Sequence, residues 1–140
     1  MTTRPARICL TLLALAALAG CGPKFVRERV YDKPNMRVEL RHQKSGDAPI
    51  ARGYSHPATI ADVRIAHILA SLSYEDDEGN RKPAIRAQFV YELGDAISAA
   101  LAKAGPDDEV AAAVFPEDRR LQIFTDTRVT AFRLFVQGEQ

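Results

Sequence analysis

The sequence predicts an α+β fold, a two-layer domain in which an antiparallel sheet is packed by two helices, and three observations predict it. Apolar and polar residues alternate along residues 25–42, apolar residues recur at three- and four-residue spacing along 59–73 and 84–104, and three short β-rich runs follow position 109. Strands on both sides of a helical pair make a two-layer α+β domain the expected architecture, with an N-terminal hairpin and a C-terminal three-strand meander in one sheet. The chain has 140 residues, 46% hydrophobic and 26% charged, with no internal repeat. That is the size and composition of a single globular unit, which we expect over residues 25–140.

The first hairpin arm, residues 25–32, alternates through Val26, Glu28 and Val30, and Lys33-Pro34-Asn35 breaks the run. The second arm, 36–42, alternates strictly. Met36, Val38 and Leu40 fall on one face, expected to be core, and Arg37, Glu39 and Arg41 on the other, expected to be solvated. Residues 43–57 hold two glycines and two prolines and read as a loop. Thr59 followed three residues later by Asp62 reads as a capping-box start for the first helix, whose apolar face includes Ile60, Val63, Ile65, Ile68, Leu69 and Leu72. Residues 74–82, rich in acidic side chains around Gly79-Asn80, read as an exposed connection. The second helix is expected from about Ala84, with Phe89, Val90, Leu93, Ile97, Ala100, Leu101 and Ala104 on its buried stripe and Gly105-Pro106 as its stop. Runs 109–115, 121–125 and 129–136 are separated by connections short enough for hairpins, which favours antiparallel pairing in a meander.

Residues 1–20 have a different character. Arg4 and Arg7 precede an apolar run, residues 8–18, that ends in small residues, the tripartite layout of a secretory signal peptide. A stable bilayer-spanning helix takes about twenty apolar residues, so this run is too short to anchor permanently. At its end, Leu18-Ala19-Gly20-Cys21 resembles the lipobox of bacterial lipoproteins, a Leu and two small residues ahead of an obligatory cysteine. The resemblance covers only residues 1–21. It implies that Leu18, Ala19 and Gly20 are read by a dedicated signal peptidase, that the chain is cut before Cys21, and that Cys21 carries a diacylglyceryl group and usually an acylated amine. Such chains anchor a protein stably. In a typical Gram-negative envelope, Gly22 in place of an inner-membrane-retaining Asp implies the outer membrane, with the domain facing the periplasm. Only Gly22, Pro23 and Lys24 remain as tether before the first strand-like run. Of the two cysteines, Cys9 would leave with the leader and Cys21 would become a thioether, which leaves no thiol for a disulfide, a nucleophile or a thiolate metal site.

Charge is distributed unevenly. Without Arg4 and Arg7, 17 of the 19 Lys and Arg remain against 18 Asp and Glu. Residues 21–56 have eight basic against four acidic side chains, and 57–140 have nine against fourteen. These small totals exclude the strong basic stripe of a nucleic-acid-binding domain. The basic residues Lys24, Arg27, Arg29, Lys33, Arg37 and Arg41 nevertheless fall within twenty residues of Cys21, where anionic headgroups attract each by about 1 kcal/mol. They are the candidate membrane-facing side chains, diluted by Glu28, Asp32 and Glu39.

Catalytic and metal signatures are sparse. His42, His56 and His67 form no ligand pair at helical or strand spacing, and Asp62 and His67 fall on different helix faces, so no metal or other cofactor is expected. The run Glu75-Asp76-Asp77-Glu78-Gly79-Asn80 lacks the alternate spacing of an EF-hand loop and reads as a solvated loop. Serines 45, 55, 71, 73 and 98 stand in no nucleophile motif, and Glu92 and Asp95 read as helix surface. The sequence therefore leads to a membrane-anchored, non-enzymatic structural or protein-interaction domain with a protein partner in the envelope. The alternatives are an accessory subunit that pairs through an open strand edge and a small lipid or ligand carrier, which would need a pocket of several hundred Å³.

Overall fold

Strand β1 (Lys24–Lys33) and strand β2 (Met36–Ser45) open the fold as an antiparallel hairpin, turned through Pro34 and Asn35. The structure is a computed structural model that describes residues 24–115 and 129–138. A two-residue strand β3 (Ala48–Pro49) folds back on the end of β2 through Gly46 and Asp47, with Gly46 at φ +63°. A positive φ at the first central position is the geometry that suits a tight hairpin and that glycine supplies without strain. Helix α1 (Asp62–Ser71), the short strands β4 (Ser73–Glu75) and β5 (Arg81–Pro83), helix α2 (Ala87–Lys103), and strands β6 (Glu109–Val114) and β7 (Thr130–Leu134) follow.

The main sheet runs β1-β2-β6-β7, antiparallel throughout, with β3 on the end of β2. The α+β class, the N-terminal hairpin and the helices packed on an antiparallel sheet agree with the sequence reading. The first and third of the C-terminal runs pair directly, Val110 opposite Leu134 and Val114 opposite Thr130, rather than through a middle strand. The middle run, 121–125, lies outside the described residues.

The core lies on one face of the sheet. Met36, Val38 and Leu40 of β2 and Val110, Ala112 and Val114 of β6 point at α2, which returns Phe89, Val90, Leu93, Ala96, Ile97, Ala100 and Leu101. Leu93, Ile97, Met36 and Val38 are fully buried. Each large side chain so buried contributes about 1.5–3 kcal/mol of transfer free energy. Helix α2 makes the sheet contacts, and α1 packs on α2 through Ile65, Ala66 and Leu69. The two helices meet closely at Gly94, where a methyl group would stand 2.9 Å from the Asp62 carbonyl oxygen and 3.1 Å from the Ala66 nitrogen.

Four local readings change. Residues 43–57 are not all loop, because β2 continues to Ser45 and β3 pairs with it. Helix α1 starts at Asp62 with Ala61 at its N-cap and no side-chain cap, so Thr59 and Asp62 form no capping box. The acidic connection is a second hairpin, β4 with β5, whose turn is organised by the Asp76 carboxylate. Helix α2 begins at Ala87 rather than near Ala84, because Pro83 ends β5 and Ala84 donates its N–H to the Leu72 carbonyl oxygen.

Candidate functional site

The helices cover one face of the sheet; among the described residues no other element covers the opposite face, and that face gathers most of the candidate basic residues. In a strand, alternate side chains share a face, and residues directly opposite in neighbouring strands share it too. Arg27 lies opposite Arg41, Arg29 opposite Glu39 and Asp32 opposite Arg37. Across β2, Arg37 lies opposite Ala113, Glu39 opposite Ala111 and Arg41 opposite Glu109; beyond β6, Ala111 lies opposite Arg133 and Ala113 opposite Ala131. Arg27, Arg29, Arg37 and Arg41 are thus brought together, joined by Arg133 from the far strand.

Lys33 is sent elsewhere. The register slips between Arg29 and Tyr31, a bulge that inserts one residue and reverses the alternation. Lys33 therefore points to the helix side, where it and the Tyr31 hydroxyl both donate to the Glu92 carboxylate of α2. The pairing holds the Lys33 ammonium well above its usual pKa and the Glu92 carboxyl below its own, each chiefly through their mutual hydrogen bond. A lysine so held stays charged and serves as a latch between β1 and α2. Lys24 begins β1 opposite Lys44. Cys21 and its recognition residues Leu18, Ala19 and Gly20 lie outside the described residues.

The bare face holds a groove of about 250 Å³. Its floor is Ala111, Ala113 and Ala131, whose small side chains leave the sheet backbone low between taller walls. Arg37, Glu39 and Arg41 stand on one side and Arg133 on the other, with Phe115 at one end. Aromatic rings support the guanidinium groups: Arg41 lies 4.8 Å from the centroid of Phe25 and Arg37 5.7 Å from that of Phe115.

Among the described residues, five arginines on this face meet three carboxylates, Asp32, Glu39 and Glu109. Asp32 accepts from Arg37 Nε at 3.0 Å and Arg29 Nη1 at 2.8 Å, and these bonds, Arg37 foremost, hold its carboxyl below the usual carboxylate range. Glu109 accepts from Arg133 Nη1 and from the Tyr54 hydroxyl, each at 3.2 Å. Glu39 stands 3.8 Å from both Arg27 Nε and Arg41 Nε, beyond hydrogen-bond reach. Arg41 Nε is buried and has no hydrogen-bond partner among the described residues. A guanidinium offers five N–H donors, so the face keeps donors in excess of its acceptors.

The other polar groups are used structurally. His42 Nδ1 lies 2.9 Å from Asp108 Oδ1, while Asp108 Oδ2 accepts the Gly105 N–H at 2.8 Å, which fixes the turn after α2. His56 is buried, and its Nε2 accepts the Val136 N–H at 3.2 Å. The Val136 carbonyl oxygen accepts the Ser55 N–H, and Tyr54 stacks on Phe135 at 4.7 Å, so residues 54–56 clamp the segment after β7. Burial pushes the His56 imidazole below its ordinary pKa, against the opposing pull of Asp108. The Ser71 and Ser98 hydroxyls donate to the carbonyl oxygens of Ile68 and Ile60, and Ser73 Oγ accepts from Arg81. Among the described residues, no group of three or more His, Cys, Asp and Glu is placed to hold a metal ion, and no helix is long and apolar enough to cross a membrane.

Sequence reasoning missed Arg133, Phe115 and the alanine floor. The run Val110-Ala111-Ala112-Ala113-Val114 was a signal for the floor, since the two of its residues that face away from the helices, Ala111 and Ala113, are both small. Comparison with models of protein families, with curated proteins and with solved structures finds no match to this chain.

Proposed function

We infer that this chain is a lipid-anchored protein of the cell envelope, fixed through Cys21 to a membrane, whose α+β domain is a non-enzymatic interaction module. The observation that carries the reading is the four-residue sequence Leu18-Ala19-Gly20-Cys21 behind a basic and apolar leader. The position of β1 supports it. The strand starts at Lys24, so only Gly22 and Pro23, at most about 11 Å of extended chain, separate the acylated cysteine from the sheet. Gly22 favours the outer membrane with the domain facing the periplasm.

The packing favours an interaction module over a carrier. Met36, Val38, Leu93 and Ile97 fill the space between sheet and helix, and the arginine groove opens on the surface. A second reading, an accessory subunit that pairs with a partner by strand addition, is favoured by β7, which has β6 as its one paired neighbour among the described residues.

Metabolic labelling with an alkynyl fatty acid tests the anchor. The native chain is expected to take up label and fractionate with membranes, and Cys21→Ser to do neither. Equal labelling of the two chains excludes Cys21 as the acceptor.

A further inference from the structure

The geometry points to the bare face of the sheet as a docking surface for the membrane itself, seated on anionic phospholipid headgroups with a headgroup phosphate held between Arg37, Arg41 and Arg133 above the alanine floor. This rests on the reading of Cys21 as the anchor.

Three observations carry it. The first is charge: among the described residues five guanidinium groups face three carboxylates, and all three are already engaged, Asp32 with Arg29 and Arg37, Glu109 with Arg133, and Glu39 with Arg27 and Arg41 at 3.8 Å, which leaves the face with an excess of positive charge. Each guanidinium offers five N–H donors, more than these pairs use, and a phosphate oxygen accepts the remainder as charge-assisted hydrogen bonds. The second is shape, since a trough of about 250 Å³ floored by methyl groups admits a phosphate and its neighbouring atoms between the guanidinium walls. The third is position. Phe25, 41% exposed, shares this face beside Arg41, within four residues of Cys21. An aromatic side chain there suits the boundary between headgroups and acyl chains. At physiological ionic strength the headgroup field decays over about 8 Å, comparable to the reach of the tether, so the anchored domain is drawn face-down.

The ten residues of β1 span about 33 Å, which separates this posture from simple tethering. Phe115 lies at the groove end near Pro34, the end of the hairpin farthest from Cys21. A domain that hangs from its anchor carries Phe115 away from the bilayer, and a domain lying face-down brings it to the headgroups.

The protein contains no Trp, so Phe115→Trp supplies a single tryptophan, excited selectively over the four tyrosines. The acylated mature chain with this substitution is reconstituted into vesicles of phosphatidylcholine alone or of equal parts phosphatidylcholine and phosphatidylglycerol. In the anionic vesicles the emission is expected to shift to the blue and acrylamide quenching to fall. Both effects should reverse in high salt and vanish when Arg37→Gln, Arg41→Gln and Arg133→Gln are added. An equal loss of charge on the helical side, through Arg64→Gln and Arg86→Gln with Lys103→Gln, should leave the shift in place; circular dichroism confirms that each variant is folded. Emission that ignores lipid charge, or that is lost equally in both sets of variants, overturns the proposal. A shift produced by inorganic phosphate in phosphatidylcholine vesicles also overturns it, in favour of a free anion. Mass measurement of the same preparation reads the anchor separately. An acylated protein blind to lipid charge refutes face-down docking alone, and a chain with no acyl group refutes both readings.

Discussion

Replacing Gly94 with alanine places a methyl group where the first turn of α1 already stands. The new carbon would lie 2.9 Å from the Asp62 carbonyl oxygen, 3.1 Å from the Ala66 nitrogen and 3.2 Å from the Ala66 Cβ. The two nearest atoms are backbone, so relief requires α1 as a whole to shift away from α2. Overpacking of this kind costs about 1–3 kcal/mol, and obstruction by backbone puts this site in the upper half of that range. The substitution also removes a glycine from a helix interior, which returns about 1 kcal/mol. The net expectation is a loss of about 1–2 kcal/mol, or about 4–8 °C in Tm for a folded body of this size. Urea unfolding of the mature protein, followed by circular dichroism, should show a lower midpoint at unchanged slope. Ala66→Gly removes only the 3.2 Å contact and should not rescue the variant. A Gly94→Ala midpoint equal to or above that of the native chain would refute the close crossing of the helices.

The remaining expectations concern the core, the C-terminal clamp and the acidic hairpin. Leu93→Ala, at a fully buried position between α2 and the sheet, should cost about 2–5 kcal/mol in the same urea assay, and a cost below 1 kcal/mol would contradict the packing described. His56 is favoured neutral in the fold, so its contribution to stability is full above its unfolded pKa near 6.5 and is lost as pH falls through its lower folded value. Hydrogen-exchange protection of the Val136 amide, which donates to His56 Nε2, should therefore weaken on acidification from neutral pH to about pH 5, after correction for intrinsic exchange, and protection that stays flat contradicts the clamp. The Asp76 carboxylate accepts the N–H groups of Glu78 and Asn80 and pairs with Lys82, which lowers its pKa from 3.8 to about 2, with the Lys82 hydrogen bond the largest cause. The hairpin it organises should keep its order down to about pH 4 and lose it as pH falls toward about 2. Asp76→Ala should speed proteolysis within residues 73–83 while leaving the global urea midpoint in place, and an intact cleavage pattern would show that the turn does not depend on it.

What could be read from the sequence follows from how local each cause is. The alternation of Met36, Val38 and Leu40 with Arg37, Glu39 and Arg41 fixes a two-sided strand from side-chain polarity alone, and the stripe from Phe89 to Leu101 fixes α2 by the same means. The bulge after Arg29 left no such mark, because Val30 and Tyr31 both pack on the core and the run keeps its composition while its phase reverses. That single slip moves Lys33 from the arginine face to the Glu92 latch. The β4–β5 hairpin was hidden for a related reason: its turn is built from a carboxylate that accepts backbone donors, and in sequence such a residue looks like any other in an acidic loop. Arg133 joined the groove only through the pairing of β7 with β6, a contact between residues more than twenty positions apart that no local pattern encodes.

The central claim is a covalent one, and the intact mass of the protein isolated from its own membranes tests it most directly. The account predicts a chain that begins at Cys21 and carries a thioether-linked diacylglyceryl group. A chain that still holds residues 1–20, or one with an unmodified thiol at Cys21, would contradict it.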